Sequence, residues 1–142
     1  MVNTKIEVYT DGGSRGNPGP AASAFAVYKA NSLFFKSAAF LGVRTNNFAE
    51  YTAVENAVKW LLENNYQKLE VIFFLDSELV VKQLNGIYKI KNSDLAVKFR
   101  SIKRLEKNFS SKLKYNFIPR TDNKMADSLV NKCLDEKMYP FT

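Results

Sequence analysis

Residues 69–76 read LEVIFFLD, and this short run decides the architecture. From Leu69 to Leu75 the segment is almost continuously apolar and rich in β-branched and aromatic side chains. That predicts a strand covered on both faces, as in a parallel sheet. A carboxylate, Asp76, follows at once. Parallel strands need long crossovers, and the flanking sequence supplies helices for them. Upstream, from Thr45, the residues Glu50, Val54, Ala57 and Leu61 recur at helical spacing with Ala53 and Trp60 beside them, and Asn64-Asn65 closes the segment. Downstream, Ser77–Leu84 predicts a short helix stopped near Asn85-Gly86. Leu95, Phe99, Ile102, Leu105 and Phe109 mark another, coated with Lys and Arg.

Further out, Lys5–Thr10 alternates as a strand, with Ile6 and Val8 on one face and Glu7 and Tyr9 on the other. Asp11–Pro20 (DGGSRGNPGP) is dense in Gly and Pro and reads as a turn or loop. Ser23–Tyr28 and Leu33–Phe40, separated by Lys29–Ser32, read as a hairpin. Leu113, Tyr115 and Phe117 alternate as a last strand before Pro119. Ala126, Leu129, Val130 and Cys133 describe a C-terminal helix. The order βββαβααβα predicts an α/β domain: a five-stranded mixed sheet, three antiparallel strands then two parallel, flanked by helices. Residues 1–142 read as a single domain.

The net charge of +7, from 21 basic and 14 acidic residues, favours a polyanionic partner. The chain has no histidine. That excludes Ser–His and Cys–His nucleophilic machinery and metal sites that need imidazole. Acid–base and metal chemistry must then rest on carboxylates. No segment has the length of a membrane span or the plan of a signal peptide, and the lone Cys133 cannot form an internal disulfide. The default expectation is a cytoplasmic monomer without membrane contact.

Asp11 and Asp76 each follow a predicted strand. In open α/β sheets, ligands gather beyond strand carboxyl ends, so parallel neighbouring strands would set the two side by side. Capping the next element is the alternative for each. Glu50 lies on the apolar stripe of its own helix and so faces the sheet, with no Lys or Arg within one helical turn. A buried carboxylate is costly unless paired or bound to a metal. Asp127 sits at the edge of the last helix's apolar face, where a capping or solvated role competes. Converging carboxylates without histidine suit a hard divalent cation such as magnesium.

Four segments together resemble the ribonuclease H type 1 family across nearly the whole chain. YTDGGSRGNPGPAA looks like the family's first strand and loop, carrying Asp11. TNNFAEYTAVENAV looks like its first helix, carrying Glu50. FLDSELVV and PRTDNKMADSLVNK match the motifs that carry Asp76 and Asp127. The resemblance implies an endonuclease that cuts the RNA strand of RNA–DNA hybrids with two Mg2+ ions (Mn2+ as the alternative), leaving 3′-hydroxyl and 5′-phosphate ends. It implies that Asp11 bridges both ions, that Glu50 and Asp76 hold the one near the attacking water, and that Asp127 holds the other. Position by position, Gly12, Asn17, Asn46 and Asn47 are implied to contact the RNA strand, and Thr45 a phosphate of the DNA strand. N-capping of the first helix is the alternative for this polar set.

The chain departs from many relatives in two places. The loop before the last helix is Arg120-Thr121-Asp122-Asn123, without the histidine that assists turnover. The basic protrusion is absent, so this is a short form. Substrate grip then falls to Tyr88, Lys89 and Lys91, or to Lys98, Arg100, Lys103, Arg104 and Lys107. Tyr88 as a structural side chain and the lysines as a solvated face are the plainer alternatives. A junction resolvase or integrase-like nuclease would lack the GNPGP loop and the TNNxxE helix start. A binding module without catalysis would have no use for all four acids.

Overall fold

A computed structural model describes residues 5–140. Its elements are β1 (Lys5–Ser14), β2 (Gly19–Lys29), β3 (Ser32–Arg44), α1 (Asn46–Glu63), β4 (Glu70–Leu75), α2 (Glu78–Leu84), α3 (Ser93–Glu106), β5 (Lys114–Phe117), a single 3-10 turn (Arg120–Asp122) and α4 (Lys124–Met138). The sheet order is β3-β2-β1-β4-β5. β1, β2 and β3 pair antiparallel, and β4 and β5 run parallel to β1. This is the mixed sheet expected from the element order, in the ribonuclease H-like arrangement that the resemblance implies.

On one face, α1 covers the strands. Ile6, Val8, Val27, Val71 and Phe73 meet Tyr51, Val54, Val58 and Leu61, all fully buried. Each such side chain stabilises the fold by roughly 1.5–3 kcal/mol. Thr45 starts α1 from an extended backbone, its Oγ1 accepting from the Phe48 amide at 3.2 Å. Asn65, at φ 63°, takes the left-handed position just past the helix end. On the opposite face α4 lays Val130 and Leu134 on Ala22 and Ala24. β2 is therefore the strand enclosed on both sides, and its alanines let both helices approach.

Several expectations are corrected. The strand at residues 70–75 is not enclosed on both faces: Val71, Phe73 and Leu75 are buried, whereas Ile72 and Phe74 are only partly so. The reason is that α4 packs on β2, β1 and β3 and leaves β4 uncovered. Residues 11–20 are not a loop throughout. β1 runs on to Ser14 and β2 begins at Gly19, leaving Arg15–Pro18 as the connection. Asp11 therefore does not terminate its strand. It pairs with Ala24 of β2, but the β1–β4 pairing has already ended at Thr10 and Leu75. In addition, the third helix stops at Glu106, and Phe109 is buried beyond it.

Gly12 brings sheet and helix into backbone contact. A Cβ there would overlap the Ala49 carbonyl and the Glu50 nitrogen, whereas one on Gly13 would meet Val130 Cγ1 at an ordinary 3.8 Å. Gly12→Ala is expected to force α1 off the sheet and lower unfolding stability by roughly 1–3 kcal/mol, the usual effect of overpacking. Gly13→Ala should stay within about 0.5 kcal/mol of the parent. Urea unfolding of both variants checks this, and equal effects would contradict the contact.

Candidate active site

Where β1 and β4 part, three acids converge. Asp11 comes from β1, Asp76 follows β4, and Glu50 reaches down from α1. One carboxylate oxygen from each lies within 4.8 Å of the others. The local reasons are separable: Asp11 and Asp76 continue adjacent parallel strands, and the close seat of α1 on Gly12 lowers Glu50 between them. Asp127, in the first turn of α4, lines the same cleft as Asp11 and Glu50, and Arg15, Asn46 and Arg120 line it too. Asp11, Glu50 and Asp127 thus border one cleft, and Asp76 meets Asp11 and Glu50 in the adjoining acid cluster. Glu50 Oε2 is buried and has no hydrogen-bond partner. An orphaned carboxylate oxygen among other carboxylates, with no imidazole in the chain, fits a hard divalent cation.

Residues not foreseen as site groups complete the setting. Asn123, fully buried, donates from Nδ2 to the Thr10 carbonyl at 2.9 Å and to Asp76 Oδ2 at 3.2 Å. It fastens the ends of β1 and β4 at the point where their own pairing stops. Ser77 and Arg120 both lie close enough to the Glu50 carboxylate to favour its charged form. A signal existed for Asn123: a lone Asn just before a helix that carries a site acid. Burial of a polar side chain leaves no trace in hydrophobic periodicity.

The polar set at the start of α1 is brought together as well. Asn17 Oδ1 accepts from the Asn46 amide at 3.0 Å, and Asn46 Oδ1 accepts from the Ser14 amide at 2.8 Å. With Thr45 as N-cap, the capping alternative is therefore realised. The side-chain nitrogens of Asn17, Asn46 and Asn47 make no hydrogen bond among the described residues. Thr45 also lines a separate cavity of about 190 Å³ with Arg44, Phe48 and Asn92. Tyr88, Lys89 and Lys91 stand outside the acidic cleft, on the exposed segment between α2 and α3. In α3, Lys98 is taken up by Glu55 at 2.8 Å and Lys103 by the Leu84 carbonyl and Glu106.

Residues 9–133 match a family described as reverse transcriptase-like. A bifunctional protein of Mycobacterium tuberculosis (strain ATCC 25618 / H37Rv) is 35% identical over 137 residues, covering 92% of this chain and 36% of that protein. The chain thus spans little more than a third of that relative. Ribonuclease HI of Halobacterium salinarum is 33% identical over 133 residues, 93% of this chain and 65% of the relative. Among solved structures, LC11-RNase H1 in complex with an RNA/DNA hybrid superposes with a TM-score of 0.89 at 38% identity, over 94% of this chain and 99% of that one.

Crowding shifts the acids. Burial, then the neighbouring Asp76 and Glu50, push Asp11 up to about 8 despite the Gly12 amide on its Oδ1. Burial pushes Glu50 up to about 7, with Asp76 adding and Ser77 and Arg120 opposing. Both acids bind protons more tightly folded than unfolded, so they favour the fold below about pH 4. That contribution is lost as pH rises towards the folded values of about 7 and 8. In chelator, unfolding stability is therefore expected to fall from pH 5 to pH 8.5, and less steeply in Asp11→Asn. Millimolar Mg2+ should restore stability at pH 8.5 in the parent and much less in the variant. Denaturant titrations at the two pH values, with and without Mg2+, measure both effects.

Proposed function

Because the chain belongs to the ribonuclease H type 1 family, we propose that residues 1–142 form a ribonuclease H domain that hydrolyses the RNA strand of RNA–DNA hybrids. The observation that carries this reading is the convergence of Asp11, Glu50 and Asp76 around a buried, unpartnered Glu50 oxygen, with Asp127 across the same cleft. These four acids are the proposed cation ligands, and magnesium is the proposed ion. Divalent cations held there would make a water nucleophilic at neutral pH and offset charge on the leaving oxygen of a phosphodiester. The chain's own part is to hold four acidic groups together against their repulsion. Asn123 holds Asp76 from behind, Ser77 and Arg120 hold Glu50, and the Gly12 amide holds Asp11 at 2.9 Å.

Hybrid selectivity follows from the groups beside the acids. Telling RNA from DNA means reading 2′-hydroxyls. The amide oxygens of Asn17 and Asn46 are already engaged, so these side chains, with Asn47, present N–H donors to a ribose. Gly12, whose missing side chain makes room for α1, would meet the RNA strand only through its backbone. The Thr45 cavity is the proposed seat for a phosphate of the other strand. Tyr88, Lys89 and Lys91 extend the contact along the duplex as a phosphate-binding edge. With Lys98 and Lys103 taken up structurally, this exposed segment is a better grip than the α3 face.

A labelled hybrid is assayed beside double-stranded RNA, double-stranded DNA and single strands. Metal-dependent cleavage of the RNA in the hybrid alone is expected, and equal cutting of double-stranded RNA would sink the reading. Asp11→Asn should reduce cleavage to background and leave hybrid affinity intact, since the nucleic-acid contacts lie on other residues. Lys89→Ala/Lys91→Ala should raise KM more than it lowers kcat. It should also flatten the salt dependence of binding by roughly 0.9 log units per lost phosphate contact.

A further inference from the structure

Between α2 and α3 the chain forms a strap, residues 85–92, with no regular secondary structure but many anchors. Gly86, at φ 77°, takes the left-handed position after α2. The Gly86 amide donates to the Gln83 carbonyl at 3.0 Å and the Ile87 amide to the Lys82 carbonyl at 2.8 Å, closing a Schellman turn. Asn85 Nδ2 donates to the Tyr115 carbonyl at 3.1 Å, Ile90 packs against the main core, and Asn92 caps α3. Tyr88, Lys89 and Lys91 are left exposed.

One side chain reaches the strap from inside. Gln83 is 6% exposed; its Oε1 accepts from the Tyr51 hydroxyl at 2.6 Å and its Nε2 donates to the Lys89 carbonyl at 3.4 Å. The amide has one sensible orientation. The Lys89 carbonyl can only accept, so nitrogen must face it, and the tyrosine hydroxyl then donates to the oxygen. Tyr51 is wholly buried and follows Glu50 in α1. The amide therefore ties the helix that carries a site acid to the backbone of a residue on the basic edge. An apolar side chain of similar volume would fill the space but strand the buried Tyr51 hydroxyl, so the amide contributes a directed link rather than burial alone.

We propose that Gln83 is a positioning residue for the substrate: oriented by Tyr51, it fixes the backbone at Lys89 and with it where the Lys89 and Lys91 ammonium groups meet the nucleic-acid backbone. The proposal rests on the reading of residues 88–91 as a phosphate-contact edge. Gln83→Met removes both hydrogen bonds at similar volume. Tyr51→Phe removes only the group that orients the amide, and it supplies the same readouts if Gln83→Met fails to fold.

Both variants are compared with the parent and with Lys89→Ala/Lys91→Ala by hydrogen exchange of the free protein and by steady-state cleavage of a labelled hybrid at several salt concentrations. In Gln83→Met, exchange across residues 85–91 should accelerate roughly tenfold while that of α1 and β4 is unchanged. KM should rise roughly three- to tenfold with kcat within about twofold, and the salt dependence should flatten towards that of the double lysine variant. Tyr51→Phe should show the same pattern, smaller. Unchanged strap exchange overturns the proposal. So does an unchanged KM in Gln83→Met when the lysine variant raises it, and in that case the phosphate-edge reading survives. An unchanged KM in the lysine variant overturns both, and the contact surface then lies elsewhere.

Discussion

Gly12 has no side chain, and the rest of the site depends on that. With only hydrogen on this Cα, the backbone of α1 at Ala49 and Glu50 lies directly against β1. That contact sets the height of the helix above the sheet, and so how far the Glu50 carboxylate descends towards Asp11. It also lets β1 continue past the end of β4, since strand and helix support each other there while β4 has already turned away at Asp76. The cleft is the wedge left between a strand that goes on and a neighbour that stops.

Into this wedge the fold places largely buried like charges, an arrangement that opposes folding near neutral pH. Several neutral or cationic groups hold the acids in place without cancelling their charge. Asn123 pins Asp76 and the end of β1, Ser77 and Arg120 bear on Glu50, and the Gly12 amide meets Asp11. None is a close ion pair within the cluster. A lysine inserted among the carboxylates would relieve the repulsion, but it would also occupy the oxygens that a cation needs. The fold instead leaves Glu50 Oε2 bare.

Much of this is legible in the residue order, and the exceptions have physical causes. Glu50 stands out because periodicity puts it on a face where a carboxylate does not belong. Asp76 stands out because it ends an apolar run. The extension of β1 through Asp11-Gly12-Gly13-Ser14 is not legible, since glycine usually weakens strands and here serves a helix that packs from another part of the chain. Phe74 is apolar yet only partly covered, because which strands α4 crosses is decided by tertiary packing. Asn123 and Gln83 are hidden for the opposite reason: they are polar residues whose burial is affordable only through partners distant in sequence.

The hydrogen bonds at the start of α1 carry an evolutionary consequence. Thr45, Asn17 and Asn46 satisfy the first amides of the helix and the Ser14 amide, so they have a folding duty independent of any ligand. A mutation that alters what this corner recognises must also still cap a helix, which restricts the replacements to a few short hydrogen-bonding side chains such as Ser and Asp. If the proposed ribose contacts lie at this corner, their preference can drift only in small steps, and wholesale respecification would have to arise on a different surface of the sheet.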